Sequence, residues 1–192
     1  MNLRRLVVAT AVSVCLLLSC RVGYCDEASA LAARADAVDA KESVIGYDPC
    51  IAVVNGVLAN AESNKLDADT TYSTLTVDCA ACRVNEIIYE ANMEAGQDAL
   101  DSCAPIVALA ESYAGLAASY MMDGDMSLDF WDWCAAETSF YGAQSYYLNA
   151  ADILVYSSGT TASDHAWAAW GYFTTAKQAA EDIEDCDDCN PN

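Results

Sequence analysis

A chain of 192 residues with 29 acidic against 8 basic side chains carries a net charge of −21 at pH 7. Such a surface repels phosphate backbones and anionic headgroups, which excludes nucleic-acid binding and favours cationic partners or counter-ions. Hydrophobic residues make up 55% of the chain, with 4 Trp, 11 Tyr and 3 Phe among them, and that content excludes a disordered polyelectrolyte.

Residues 1–5 hold Arg4 and Arg5 and no acid, and residues 6–18 are almost wholly apolar. The run is too short for a comfortable membrane span and suits the core of a signal peptide. It ends in Leu17-Leu18-Ser19-Cys20, which resembles the lipobox of bacterial lipoproteins. The resemblance implies that Cys20 is acylated and becomes the first mature residue, with a lipid anchor as the one membrane contact. Plain secretion, with cleavage between Cys20 and Asp26, is the alternative. Residues 1–20 are therefore read as a signal and 21–192 as one exported domain, in the cell envelope or outside the cell. Arg4 and Arg5 leave with the signal, so six basic residues face 29 acids and the mature charge is −23. No later run is expected to span a bilayer.

Of the ten cysteines, eight follow the cleavage region: Cys25, Cys50, Cys79, Cys82, Cys103, Cys134, Cys186 and Cys189. An even number in an exported chain reads as a disulfide framework.

The elements in chain order are helical. Leu31, Ala35, Val38 and Ile45 form one stripe; Ile51, Val54, Leu58 and Ala61 form the next after Asp48-Pro49. These two give an N-terminal helical hairpin over 26–64. A Thr/Asp-rich loop is expected over 65–77. Val84, Ile88, Ala91 and Ala95 mark a third helix. Asp101-Ser102 before Pro105 opens a fourth along Ile106, Leu109, Tyr113, Leu116 and Tyr120, which Asp123-Gly124-Asp125 ends. Trp133, Ala136, Phe140, Ala143, Tyr147, Ala150 and Leu154 give the fifth. Ala166, Ala169, Phe173, Ala176, Ala180 and Ile183 give the sixth. Short connections between the last four predict a four-helix up-down bundle over 78–186. The fold class is all-α, a disulfide-stapled antiparallel bundle of about six helices.

That topology gathers Cys79, Cys82, Cys134, Cys186 and Cys189 at one pole and leaves Cys103 at the other, with Cys50 its favoured partner. Disulfides are the first reading of the cluster; a four-cysteine zinc site and a CxxC dithiol centre at Cys79-Ala80-Ala81-Cys82 are the others. Glu86, Glu90, Glu94 and Asp98 recur every four residues and read as a solvated face. Asp123, Asp125 and Asp129 alternate like the first half of a calcium loop, but lack the glycine and the closing glutamate of an EF-hand. A helix-helix turn with capping acids accounts for them equally. Asp164 reads as a helix cap beside a surface His165.

Twelve aromatics fall between positions 130 and 173, too many to face inward on two helices. Trp131 and Tyr146 lie off the main stripe and are the expected contacts for an unknown protein or cell-surface partner. No catalytic set emerges and no cofactor is expected, with calcium at Asp123, Asp125 and Asp129 as the ion otherwise admitted. A cell-envelope binding or structural module with an aromatic C-terminal face is preferred to an enzyme. A CxxC thiol-disulfide oxidoreductase and a calcium-stabilised surface protein are the alternatives.

Overall fold

The computed structural model describes residues 25–75 and 82–185, and every regular element among them is helical. Residues 1–20 with Cys20, and Cys79, Cys186 and Cys189, lie outside the described residues.

Helix α1 spans Glu27–Glu42. Its start is a capping box: the Ser29 N–H donates to the Asp26 carboxylate at 2.8 Å, and the Asp26 N–H donates to Ser29 Oγ at 3.2 Å. A tight turn follows, in which the Gly46 N–H donates to the Ser43 carbonyl at 2.8 Å. A Cβ at Gly46 would lie 2.7 Å from the Ala40 carbonyl oxygen, so the turn tolerates only glycine. Helix α2 spans Tyr47–Ser73. Pro49 falls in its first turn, where an N–H has no intrahelical acceptor to lose. Helix α3, Arg83–Asp129, is 47 residues long, about 70 Å at the α-helical rise. Helix α4 is Trp133–Ala151, capped by the Asp132 side chain, which accepts the Ala135 N–H at 3.1 Å. It continues as one π-helical turn, Asp152–Tyr156. Helix α5, Ala162–Glu184, opens on a second capping box between Thr161 and Asp164.

These helices form three long tracks. The first is α1 followed by α2, the second is α3, and the third is α4 followed by α5. Links between the first and third tracks keep a nearly constant sequence separation. It is 109 for Cys25–Cys134, 108 for Ser29–Glu137, and 110 for both Asn64–Thr174 and Lys177–Asp67. The two tracks therefore run parallel and in register along their whole length. Helix α3 runs against both, pairing Asp125 with Arg34 and Gln97 with Lys65, and seating Phe140 on Gly124 and Phe173 on Gly96.

The expected six-helix antiparallel bundle is corrected at four places. The 26–64 hairpin does not form; α1 and α2 follow one another, because Ala33, Ala40, Tyr47, Val54, Ala61 and Ala68 keep a seven-residue register across the turn and face the same neighbour. The 65–77 loop is helical through Ser73, fixed by burial of Ala68 and by Tyr72 stacked on Tyr89 at 3.9 Å. Helices three and four are one helix through Pro105. Buried Tyr89, Gly96, Cys103, Ala110, Ala117 and Gly124 recur every seven residues without a phase break, the repeat of a left-handed supercoil. Pro105 sits on the exposed face, where the carbonyl it strands can reach water. The last break, at residues 157–161, redirects the chain without reversing it.

Small residues make the tracks' approach close. Ala30, Ala33, Ala37 and Ala40 of α1 pack with Ala117, Ala136, Phe140 and Ala143 in one layer; Ala99, Ala169 and Phe173 pack with Ala61 in another. Within Glu27–Ser73 one window has mean hydropathy 1.3, long and apolar enough by composition to cross a membrane. Val54, Val57 and Ala61 of the same stretch are packed in the core. Gly115 of α3 faces open space, with no atom within 4 Å of where an added Cβ would sit. Gly115→Ala should therefore raise stability by about 0.5–1 kcal/mol in urea titration, through helix propensity alone.

Candidate functional site

Two regions carry unusual chemistry: the pole where the first and third tracks begin, and the waist where both are interrupted. At the pole Cys25 is bonded to Cys134, with Cα atoms 5.1 Å apart. Ser29 Oγ donates to Glu137 at 3.0 Å, adding a second link beside the bridge. Arg34 and Asp125 pair at 2.7 Å across to α3, and that bond raises the guanidinium pKa above its ordinary value. The 130–132 link caps the pole. Phe130 is 79% exposed and Trp131 78% exposed. Trp131 has φ 63, a left-handed conformation that a bulky side chain rarely adopts.

The two rings expected at a surface separate here. Trp131 is exposed, but Tyr146 is half-buried, stacked on Tyr120 at 5.5 Å and tilted against Tyr113 at 6.0 Å. Its place off the α4 stripe points it at α3, not at solvent. Phe130 is legible in the sequence only as the neighbour of Trp131, with no stripe to claim it. On α5, Trp167 and Trp170 meet edge-to-face at 5.6 Å and remain partly exposed.

At the waist, the Ser43–Gly46 turn of the first track lies beside the π-helical turn of the third. The Tyr156 hydroxyl donates to the Val44 carbonyl at 3.5 Å, bracing the two interruptions together. A cavity of about 490 Å³ opens there, lined by Ile45, Leu148, Asn149, Ala151, Asp152 and Tyr156. Single π-helical turns occur often at functional sites. The sequence pattern puts Ile45 on the buried stripe of the first helix, yet it is exposed at this mouth, because Ala30, Ala33, Ala37 and Ala40 form the true seam.

The Cys50–Cys103 bridge expected from the sequence is not formed. Both are free, buried thiols in one core layer. Each sulfur is engaged by the third track instead: Cys103 Sγ donates to the Ala162 carbonyl at 3.3 Å, and Cys50 hydrogen-bonds the Tyr156 side chain. Burial pushes both thiols above their ordinary pKa, which suppresses the nucleophilic thiolate. Cys82 is disulfide-bonded and buried. It opens α3 while Cys134 follows the other end of that helix, so the two are not gathered at one pole. A single 47-residue helix where two were expected accounts for the difference.

Asp123, Asp125 and Asp129 lie on the last turns of α3, not in a loop. On a helix Asp123 points about 200° away from Asp125, so the three carboxylates do not converge on one ion. Gly124 is locked in place by Phe140, and Asp125 by Arg34. Among the described residues no group of three or more His, Cys, Asp or Glu side chains is placed to hold a metal ion. Glu86 of the acidic ladder pairs with Arg83 and accepts from the Tyr72 hydroxyl at 3.5 Å. Asp164 completes the α5 capping box, and its hydrogen bonds to Thr161 hold its carboxyl below the ordinary pKa.

Comparison with protein-family models, with curated proteins and with solved structures finds no match.

Proposed function

We propose that the chain is an exported, lipid-anchored binding module of the cell envelope: an acidic helical rod tethered through Cys20 that presents contact surfaces to a partner. The observation that carries the reading is the Cys25–Cys134 bridge. Disulfides of this kind persist in oxidising compartments, and this one joins the stretch just after the lipobox-like sequence to the far side of the pole. A rod about 70 Å long, its seam packed along the whole length, suits a spacer that holds a binding surface away from its anchor. The half-exposed Trp167 and Trp170 on α5 and the waist cavity are the candidate contact regions. The mature charge favours a cationic partner.

Neither alternative gains a comparable observation. A dithiol oxidoreductase at Cys79 and Cys82 needs an accessible attacking thiol, whereas Cys82 is buried and disulfide-bonded. A calcium-stabilised protein needs ligands other than Asp123, Asp125 and Asp129.

Membrane flotation in a bacterial host that processes lipoproteins tests the proposal. The wild-type chain is expected to float with membranes and to carry an acyl mass on Cys20, while Cys20→Ser is recovered free of membranes. A wild-type chain found unacylated in the medium would refute the anchor.

A further inference from the structure

We infer that Phe130 and Trp131 form a membrane-contact tip that enters the interfacial layer of the bilayer bearing the anchor; the inference rests on the lipid-anchored reading above. Four observations converge on it. Both rings sit on the three-residue link between α3 and α4, at the end of the rod and not on its flank, and both are more than three-quarters exposed. Large aromatic side chains with this exposure are unfavourable in water and are suited to the membrane–water boundary.

The second observation is backbone strain. Trp131 holds φ 63, where glycine or asparagine would sit without cost. The link nonetheless carries a tryptophan there, fixed from behind by the Asp132 cap on α4 and by the Asp132 N–H donating to the Ser127 carbonyl at 2.9 Å. With the Trp131 N–H donating to the Leu128 carbonyl at 3.0 Å, the Asp132–Ser127 bond makes a Schellman cap that ends α3 and fixes the tryptophan at the tip.

Third, the covalent path sets the distance. Cys134 follows Trp131 by three residues and is bonded to Cys25. Cys20 precedes Cys25 by five residues, which span at most about 18 Å. An acyl group on Cys20 therefore enters the bilayer within that radius of the bridge, at the pole that carries the aromatic pair.

Fourth, charge selects the lipid. Asp129 and Asp132 flank the pair, and Arg34, the basic side chain described at this pole, is already paired with Asp125 at 2.7 Å. Anionic headgroups are repelled by such a tip, so zwitterionic lipid is the surface it fits.

The test uses the chain from Arg21 onward, held to phosphatidylcholine vesicles by a hexahistidine tag and a nickel-chelating lipid. Its outcome is then independent of acylation, which the flotation experiment reads separately. In one variant Trp131 is the sole tryptophan (Trp133→Phe, Trp167→Phe, Trp170→Phe); in the control Trp167 is. Brominated phosphatidylcholine is expected to quench Trp131 emission about twofold, with a blue shift, and to leave Trp167 unchanged. Red, unquenched Trp131 emission on tethered protein overturns the tip, as does equal quenching of both positions. Should the triple substitution disturb folding, Phe130→Ser with Trp131→Gly alters only exposed link residues of the acylated chain. That variant is expected to exchange between phosphatidylcholine vesicles roughly tenfold faster than wild type; an unchanged exchange rate overturns the inference.

Discussion

Truncating Phe140 to alanine is expected to destabilise the protein by about 3–5 kcal/mol, read as a lowered midpoint in urea titration. Phe140 is completely buried and is among the largest fully buried side chains described. Its ring lies against Gly124 so closely that a Cβ there would come within 2.5 Å of Cε1. Ring and glycine form a knob and a hole, and Phe173 with Gly96 repeats the arrangement 28 residues back along α3. Gly124→Ala alone is expected to cost about 1–3 kcal/mol of overpacking, offset by about 1 kcal/mol of helix propensity. In the Phe140→Ala background the same substitution should turn stabilising, because the new methyl enters the space the ring vacated. Equal effects of Gly124→Ala in both backgrounds would show that the two residues do not touch.

Removing the Cys25–Cys134 bridge by the paired substitution Cys25→Ser and Cys134→Ser is expected to cost about 4–5 kcal/mol in the chain-entropy account. The bridge spans a sequence separation of 109, so it constrains most of the unfolded chain. It also pins the open end of α1, whose remaining ties near that end are the Ser29–Glu137 hydrogen bond, the Arg34–Asp125 pair and a seam of small alanines. Deletion should therefore be uneven: amide exchange is expected to accelerate most in α1 and at the start of α4, and least in α5. Thermal melts of the double variant, with the wild type measured beside it, give the total effect.

The helical character of the chain is legible in its three- and four-residue spacings, and every residue of the expected α4 and α5 stripes is buried except the half-buried Trp133, while the buried Ala151, Ala162 and Ala179 fall outside those stripes. The stripes expected in α1 and α3 are displaced from the true seam. There the large apolar side chains, such as Leu31, Val84, Leu109 and Leu116, flank the contact and stay exposed, while alanine, glycine and cysteine occupy its centre. A seam of small residues carries little hydropathy and is easily overlooked beside leucines. Turn signals mislead for a related reason. Asp101-Ser102, Pro105 and Gly124 each carry a local preference worth about 1–3 kcal/mol, and the uninterrupted seven-residue repeat of α3 outweighs them. That repeat is visible across Pro105 in the sequence. It merges the third and fourth helices and separates Cys82 from Cys134. The waist cavity has no such signal, since it arises where a turn in one track meets a π-helical turn in another, over 100 residues away. The free state of Cys50 and Cys103 depends on side-chain direction, which spacing alone does not fix.

Thiol mapping of protein isolated from its native host tests the account most directly. Alkylation after denaturation without reductant, followed by peptide mass analysis, should leave Cys25 and Cys134 unmodified and joined, and should label Cys50 and Cys103. Free, alkylated Cys25 and Cys134 in that material would contradict both the oxidising compartment and the covalent pole on which the tethered rod depends.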